Sequence, residues 1–232
     1  MSRAIPKLGP RLANLDTVRE HVILGKATFL VDRPADPAEL VDYTSLDAAL
    51  AADAPLPYWA DIWPASRMLA KAILAENWAP DMECLELGCG LGLPGVAALS
   101  VGMQVTFSDA DATSVEFAAH NGRINGYSKI KGLILDWREP PRDRVFPLII
   151  GSDVTYEPKY HEALFQTLMC TLEPGGTLLL VDPDRKQATT FFDMLRARSW
   201  NYSRKVVHAG SPGQDRIRGS FYRVMRPLHK RA

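Results

Sequence analysis

The sequence lacks an apolar run long enough to form a transmembrane helix, and no apolar block of a secretory signal follows Met1. It also has few cysteines. The three present, Cys84, Cys89 and Cys170, form an odd set without the spacing of metal ligands. This argues against a disulfide framework and against a metal site. We therefore expect a cytoplasmic protein with no membrane association and no bound metal.

Net charge is also absent, since 27 Lys and Arg residues balance 27 Asp and Glu residues. The distribution is nevertheless uneven, because residues 196–232 contain ten Lys or Arg and the single acid Asp215. Solvated edge strands, an acidic protein partner and RNA each explain such a basic segment. The sequence has no aromatic-interleaved RNA motif, which argues against a nucleic-acid partner. The oligomeric state is not indicated.

Short apolar runs alternate with segments of helical spacing along most of the chain, and no internal repeat interrupts them. The predicted strands are 83–87, 104–108, 132–135, 145–151 and 177–181, the last after a turn at 173–176. The predicted helices are 64–76, 94–101, 112–125, 159–172 and 186–198. Strands that are apolar on both faces are typical of a buried parallel sheet.

The two ends of the chain differ from this pattern. Segments 202–209 and 216–224 flank the turn-rich 210–215, which predicts a closing antiparallel hairpin. Residues 21–31 have the composition of one or two short strands, and prolines punctuate the sequence after them. We interpret 1–57 as an N-terminal appendage or substrate lid on a domain formed by 58–232. The predicted fold class is α/β: a Rossmann-like, doubly wound, mostly parallel seven-stranded sheet.

The glycines Gly88, Gly90 and Gly92 directly follow a predicted strand and open a helix. Glycine permits positive φ and has no Cβ, so the backbone of such a turn can lie against a nucleoside or an amino-acid group. A dinucleotide fingerprint requires a third glycine or alanine where this chain has Leu93, which argues against NAD. The lysine and hydroxyl of a phosphate-binding P-loop are also missing.

The ends of the next two strands carry residues suited to a nucleoside. Asp109, nineteen residues after Gly90, can accept hydrogen bonds from both ribose hydroxyls, whereas Asp111 is the better candidate for a helix cap. Trp137 follows Asp136 at the end of the third strand and can stack on an adenine ring, although a core position explains it too. Trp63, before the first helix, is a weaker candidate.

Several motifs together resemble a known family. The segment from Glu86 to Gly92 resembles motif I of class I methyltransferases, which use S-adenosyl-L-methionine. With Pro57-Tyr58-Trp59-Ala60, Ile62-Trp63-Pro64 and Val181-Asp182-Pro183-Asp184-Arg185, it resembles methyltransferase family 16 over about residues 55–225. Within that family the motifs are most similar to the branch that methylates lysines of the electron-transfer flavoprotein β subunit. The resemblance implies cofactor contacts from Trp63, Glu86, Gly88, Cys89, Gly90, Asp109, Trp137 and Ser152.

The acid-x-x-aromatic element of that family matches Asp153-Val154-Thr155-Tyr156, directly after the fourth strand. Its middle residues differ from the Pro-Pro pair of enzymes that methylate adenine or glutamine, which argues against those substrates. The catalytic candidates are Asp153, which would orient the acceptor amine, and Tyr156, which would form an aromatic wall. Asp182 and Arg185 fit a substrate contact and a simple Asp-Pro turn with a solvated arginine equally well.

The resemblance therefore predicts an N-methyltransferase acting on a protein lysine, with the electron-transfer flavoprotein β subunit as a candidate substrate. A nicotinamide-like small-molecule N-methyltransferase is the first alternative, since the N-terminal segment could close over a compact substrate. A non-catalytic cofactor-binding module is the second. The intact Asp153 and Tyr156 argue against that last interpretation.

Overall fold

A computed structural model describes residues 12–40, 58–210 and 215–228. Within these ranges the helices are α1 (Pro64–Leu74), α2 (Leu93–Ser100), α3 (Ala112–Ile124), α4 (His161–Thr171) and α5 (Ala188–Ala197). The strands are β1 (Thr17–Leu24), β2 (Ala27–Pro34), β3 (Glu83–Leu87), β4 (Gln104–Asp109), β5 (Ile130–Ile134), β6 (Phe146–Ser152), β7 (Leu172–Asp182), β8 (Asn201–Ala209) and β9 (Ile217–Met225). None of the described helices has the length and apolar character needed to cross a bilayer.

The main sheet has seven strands in the order β5-β4-β3-β6-β7-β9-β8. Strands β3 to β7 run parallel, while β9 is antiparallel to both β7 and β8. The predicted fold class, with its antiparallel C-terminal hairpin, is confirmed. Chain order reverses at β3, which has β4 on one side and β6 on the other. Ligands of such sheets bind beyond the carboxyl ends of the strands at this reversal.

Helices cover both faces of the sheet, so the central strands are buried on both sides. In β6, Leu148 and Ile150 belong to the core cluster that includes α1, α2 and α3, while Ile149 belongs to the cluster that includes α4 and α5. All three side chains are at most 1% exposed. This is why the strand is apolar without alternation, and why an edge strand such as β8, which is largely exposed, is not.

The sequence predicts a turn at 173–176 followed by a strand that begins at 177, and the predicted start of this strand is wrong. Strand β7 already begins at Leu172, which pairs with Phe146, and Leu148 then pairs with Thr177, so the residues between them bulge from the ladder. Gly175 has a φ of 79°, as a turn requires. Its N–H donates to the Arg226 carbonyl at 3.1 Å. Pairing with distant strands therefore keeps this turn within the sheet.

The N-terminal segment forms two strands where one or two were expected, and they extend beyond 21–31. Strands β1 and β2 pair as an antiparallel hairpin that lies against α3. The Asn121 side chain accepts a hydrogen bond from the Asp32 N–H at 2.8 Å and donates to the carbonyls of Asp32 and Leu91 at 3.0 and 2.9 Å. The interpretation of 1–57 as a lid falls partly on residues 1–11 and 41–57, which lie outside the described residues.

Replacing Asn121 by alanine should lower the free energy of unfolding by about 2 kcal/mol, because three hydrogen bonds are lost and buried backbone groups lose their partners. Asn121 is fully buried. Urea unfolding followed by circular dichroism measures this change, with the exposed Asn201→Ala as control. Unfolding curves that coincide for the two variants would show that Asn121 does not hold the hairpin to the rest of the domain.

Candidate active site

The glycine turn between β3 and α2 lies at the carboxyl end of the sheet. Gly88, Gly90 and Gly92 have φ values of 57°, 51° and 77°, which side chains with a Cβ rarely adopt. Gly92 is the N-cap of α2. The N–H of Cys89, which lies between Gly88 and Gly90, donates to the Ser108 carbonyl at 2.9 Å. The turn is thus fixed to β4, and no Cβ projects from its backbone at the three glycines.

Asp109 at the end of β4 lies directly beside this turn. Its Oδ2 accepts a hydrogen bond from the Gly90 N–H at 3.1 Å, and its Oδ1 accepts from the Asp111 N–H at 3.1 Å. Asp111 accepts from the Thr113 N–H at 2.7 Å and caps α3. The cap predicted for Asp111 is confirmed, and the Asp109 carboxylate retains lone pairs for further donors.

Burial raises the pKa of the Asp109 carboxyl above its usual value, although the N–H groups of Asp111 and Gly90 oppose this effect. Hydroxyl donors favour the ionised form, so a ribose bound here should lose affinity when Asp109 is protonated. The loss should begin at a higher pH than for an ordinary aspartate, whose pKa is about 3.9.

Titration calorimetry with 5′-methylthioadenosine tests this pH dependence, because that probe carries a ribose and an adenine but no amino-acid group. We expect affinity to be constant at neutral pH and to fall on acidification at a higher pH than the pKa of about 3.9 of an ordinary aspartate would give. The Asp109→Asn variant should bind weakly, with affinity that does not change over this range. A wild-type affinity that does not fall at all as the pH is lowered to the pKa of an ordinary aspartate, about 3.9, would contradict a hydrogen bond from the ribose to Asp109.

Glu86 and Cys89 lie beneath the turn rather than at its open side. Glu86 is 1% exposed, its Oε2 accepts from the Gly95 N–H at 3.0 Å, and burial raises its pKa well above the usual range. The Cys89 thiol is buried 3.8 Å from the Ser114 hydroxyl. Both side chains therefore support the turn from inside the protein.

Trp137 and the loop after β6 meet the turn at Gly88. A Cβ placed on Gly88 would lie 2.9 Å from Cγ1 of Val154 and 3.7 Å from the Trp137 ring. The ends of β3, β5 and β6 thus converge on one point. Ser152, the last residue of β6, is half-buried beside it and pairs with Val181.

Trp63 is less closely joined to this point than Trp59, which the sequence analysis did not select. The Trp63 ring is 40% exposed and its Nε1 donates to the Tyr58 carbonyl at 2.6 Å. The Trp59 Nε1 instead donates to Asp111 at 2.9 Å, and its carbonyl would lie 3.3 Å from a Cβ on Gly90. The position of Trp59 between Tyr58 and Ala60, within the motif that resembles the family, is the sequence feature that could have indicated it.

Asp153 and Tyr156 lie in the loop after β6. Asp153 has a φ of 55°, an uncommon conformation for a residue with a side chain that is found at functional sites. Its N–H donates to the Val181 carbonyl at 2.8 Å. The Tyr156 ring is 38% exposed and packs edge-on against Tyr58, with ring centroids 6.3 Å apart. Burial and neighbouring acids raise the pKa of its phenol to about 12, so it is protonated at neutral pH.

Arg185 contacts the catalytic candidate directly, which the sequence could not show. Its Nε and one terminal nitrogen donate to the two carboxylate oxygens of Asp153, both at 2.8 Å. Its own N–H donates to Asp182 at 2.7 Å, and Asp182 also accepts from the Thr155 hydroxyl at 2.9 Å. Asp182 and Arg185 thus join the loops after β6 and β7.

These residues suit a nucleoside with a neighbouring reactive group. The glycine backbone leaves room for close approach, and Asp109 can accept from two ribose hydroxyls. Trp137 offers an aromatic face one strand away from Asp109. Asp153 and Tyr156 lie on the other side of the turn, beyond β6. The donor set therefore fits an adenosyl group between β3 and β5, with its reactive end toward β6.

Comparisons with known proteins identify the family of the chain. A family model described as lysine methyltransferase matches residues 58–198. The electron transfer flavoprotein beta subunit lysine methyltransferase of Danio rerio is 30% identical over 136 residues, which cover 57% of this chain and 52% of that protein. The histone-arginine methyltransferase METTL23 of Rattus norvegicus is 26% identical over 144 residues, covering 57% and 62%. The chain thus spans less than two thirds of these relatives' length.

A solved structure shows the same fold. The N-methyltransferase NodS from Bradyrhizobium japonicum, in complex with S-adenosyl-L-homocysteine, superposes with a TM-score of 0.58 at 19% identity, over 80% of this chain and 98% of NodS. The family match covers the glycine turn, the ends of β4 to β6 and the loop after β7. The chain therefore belongs to the lysine methyltransferase family and has the fold of a class I methyltransferase.

Proposed function

We propose that this chain is a methyltransferase that depends on S-adenosyl-L-methionine and acts on the side-chain amine of a protein lysine. The observation that carries the proposal is the position of Asp153 and Tyr156, beside the glycine turn and at an exposed aromatic rim. Tyr58, Trp63 and Tyr156 are 49%, 40% and 38% exposed. Such a rim can admit a long side chain from a second protein, whereas a small molecule requires a pocket that encloses most of its surface.

The cofactor would be held by the residues at the ends of β3 to β6. Gly88 and Gly90 would allow its amino-acid portion and ribose to approach the backbone. Asp109 would accept the ribose hydroxyls, and Trp137 would stack on the adenine. Ser152 would offer its backbone, Trp63 would cover the rim, and Glu86 and Cys89 would keep the turn in shape from below.

When bound, S-adenosyl-L-methionine supplies a methyl group on a sulfonium, which an amine displaces in line. The chain has to position a neutral amine for this reaction. A lysine with a pKa near 10.4 must first lose a proton, which costs about 4.6 kcal/mol at pH 7. Asp153 would orient the amine by accepting its hydrogen bond. The ring face of Tyr156 would stabilise the positive charge that develops on the nitrogen.

The first acceptor to test is the electron-transfer flavoprotein β subunit, because the motifs around Trp63 and Arg185 resemble the branch that methylates it and the Danio rerio relative carries that activity in its name. The Rattus norvegicus relative is named for arginine, so the assay has to separate methyl-lysine from methyl-arginine.

Incubation with radiolabelled S-adenosyl-L-methionine tests the proposal, first with a cell extract and then with the purified β subunit. We expect label in protein, recovered as methyl-lysine after acid hydrolysis. Label recovered only in small molecules would contradict a protein acceptor, and methyl-arginine would contradict lysine. Failure with the β subunit alone, with other proteins labelled, would exclude only that substrate.

A further inference from the structure

Arg185 forms a two-point ion pair with the residue proposed to orient the acceptor amine. Both hydrogen bonds to Asp153 are 2.8 Å long, and this parallel geometry is the strongest that arginine makes with a carboxylate. The Asp153 side chain is 11% exposed and the Arg185 side chain 39% exposed. The arginine thus covers the carboxylate while it remains open to solvent itself.

The rest of the loop network fixes Arg185 in place. Asp182 is 2% exposed and accepts both the Arg185 N–H and the Thr155 hydroxyl. Thr155 in turn has its carbonyl 2.9 Å from the His161 ring nitrogen at the start of α4. Arg185 and Asp153 are therefore held by backbone contacts on both sides, and neither has to reorganise to form the pair.

A carboxylate beside a lysine has two opposing effects on methyl transfer. It can orient the amine, but an unpaired negative charge also stabilises the ammonium form and raises the pKa of the lysine. The unreactive cation would then predominate at neutral pH. A fixed cation on the far side of the carboxylate cancels the charge and leaves oxygen lone pairs available to the amine.

Several other charged or titratable groups face the same site from neighbouring elements. Tyr156 and Glu157 belong to the loop of Asp153, and Glu157 is paired with Lys159 at 2.9 Å. Asp182 is the last residue of β7 and Asp109 the last residue of β4, while Tyr58 precedes α1. The charges of these groups raise the pKa of Tyr156 or of Arg185. Acids on three sides would favour the ammonium form, which makes the Arg185 charge important.

We infer that Arg185 is a positioning residue that neutralises Asp153, so that the acceptor lysine meets the methyl group as a free amine. The inference rests on the proposed function, because it concerns a lysine acceptor. In chemical terms the lysine ammonium gives a proton to solvent before transfer, the lone pair of the resulting amine forms the N–C bond, and the electron pair of the broken C–S bond stays on the sulfur as a thioether. Arg185 takes no part in these bonds and acts through the charge on Asp153.

The first test compares Arg185→Met with Arg185→Lys in the protein-labelling assay across pH. In the methionine variant Asp153 loses its counter-charge, so we expect the acidic limb of the pH-rate profile to move up by about one unit. Its rate at pH 7.5 should be about tenfold below wild type, with the difference narrowing toward pH 10. The lysine variant keeps the positive charge but cannot donate two parallel hydrogen bonds to Asp153. The acidic limb of its pH-rate profile should therefore lie at the wild-type pH, while its rate falls several-fold.

The matched control is Arg198→Met. The Arg198 side chain is 37% exposed, close to the 39% of Arg185, and it pairs with the more exposed Glu162 at 2.7 Å outside the site. We expect its profile to follow that of wild type. A methionine variant at position 185 whose rate is reduced by the same factor at every pH would show a merely structural role and overturn the inference.

A second measurement does not depend on the natural substrate. With S-adenosyl-L-homocysteine present, binding of Nα-acetyl-lysine methylamide as its ammonium form is measured by NMR at pH 7. The methionine variant should bind this cation several-fold more tightly than wild type, because its carboxylate is unpaired, whereas the lysine variant should not. Equal affinities would overturn the inference. If wild type labels no protein, the proposed function fails, but this measurement still decides whether Arg185 neutralises Asp153.

Discussion

The Asp109→Ala variant should bind S-adenosyl-L-methionine at least about 100-fold more weakly than the wild-type protein. Two hydroxyl hydrogen bonds to a charged, partly buried carboxylate contribute about 3 kcal/mol together, and each 1.4 kcal/mol is tenfold in affinity. The substitution also removes the acceptor of the Gly90 N–H, which is held at 3.1 Å, so the glycine turn loses part of its support. Isothermal titration calorimetry measures the change.

Thermal unfolding of the cofactor-free protein separates this effect from misfolding. Burial raises the pKa of Asp109, so the ionised carboxylate is held at a cost in the free protein. The Asp109→Asn variant keeps the shape and removes the buried charge, although its amide nitrogen then faces one of the two backbone N–H donors. It should therefore melt close to the wild-type temperature while binding cofactor poorly. The exposed Asp193→Ala serves as a control for loss of a surface charge. Affinity within threefold of wild type for Asp109→Ala would show that the ribose lies elsewhere.

The positions of the core strands followed from the sequence because each buried strand is a short apolar run. The limits of β3 were predicted to the residue, and β4, β6 and β9 to within one residue at either end. The first residue of β7 was not predicted correctly, because β7 begins at Leu172 and the pairing of Leu172 with Phe146 depends on a strand 26 residues earlier. Local composition identifies a bend at 173–176, but it does not show whether the residue before the bend already pairs with a neighbouring strand.

The candidate cofactor residues could be predicted for a topological reason. Parallel strands bring their carboxyl ends to one edge of the sheet, so residues at or shortly after the ends of β3, β4 and β5 had to lie near one another. The pair of Arg185 with Asp153 spans 32 residues and depends on the direction of two side chains. An arginine after an Asp-Pro turn has the same sequence pattern whether it is solvated or bound, so this contact could not be predicted.

The basic C-terminal segment has a simpler explanation in the structure than a partner. Arg204 and Arg218 bind Asp184, at 2.9 and 2.6 Å, and Arg226 donates to the Met169 carbonyl at 2.9 Å. Arg198 and Arg223 pair with Glu162 and Glu76. Much of the positive charge in the described part of this segment is therefore balanced by acids earlier in the chain. This explains why residues 196–232 are basic and the preceding residues acidic without an RNA partner.

Asp153→Asn should reduce methyl transfer by about 100-fold or more while leaving cofactor affinity within about threefold of wild type. Asparagine tolerates the positive φ of 55° at this position, so the backbone of the loop should not change. The amide is a weaker acceptor, and its nitrogen turns one of the two Arg185 contacts into a repulsion between donors. The amine is then poorly aligned, and small displacements of reacting groups reduce rates by about this factor.

The matched control is Asp81→Asn, another aspartate at positive φ, 60°, that is paired with a lysine, Lys129, before β3 and away from the site. It should transfer methyl groups at the wild-type rate. Single-turnover labelling separates the chemical step from product release. Because the Asp153→Asn site has the Arg185 cation without its partner, its pH-rate limb should not move upward, unlike that of Arg185→Met. A turnover rate unchanged by Asp153→Asn would show that the acceptor amine is oriented by another group.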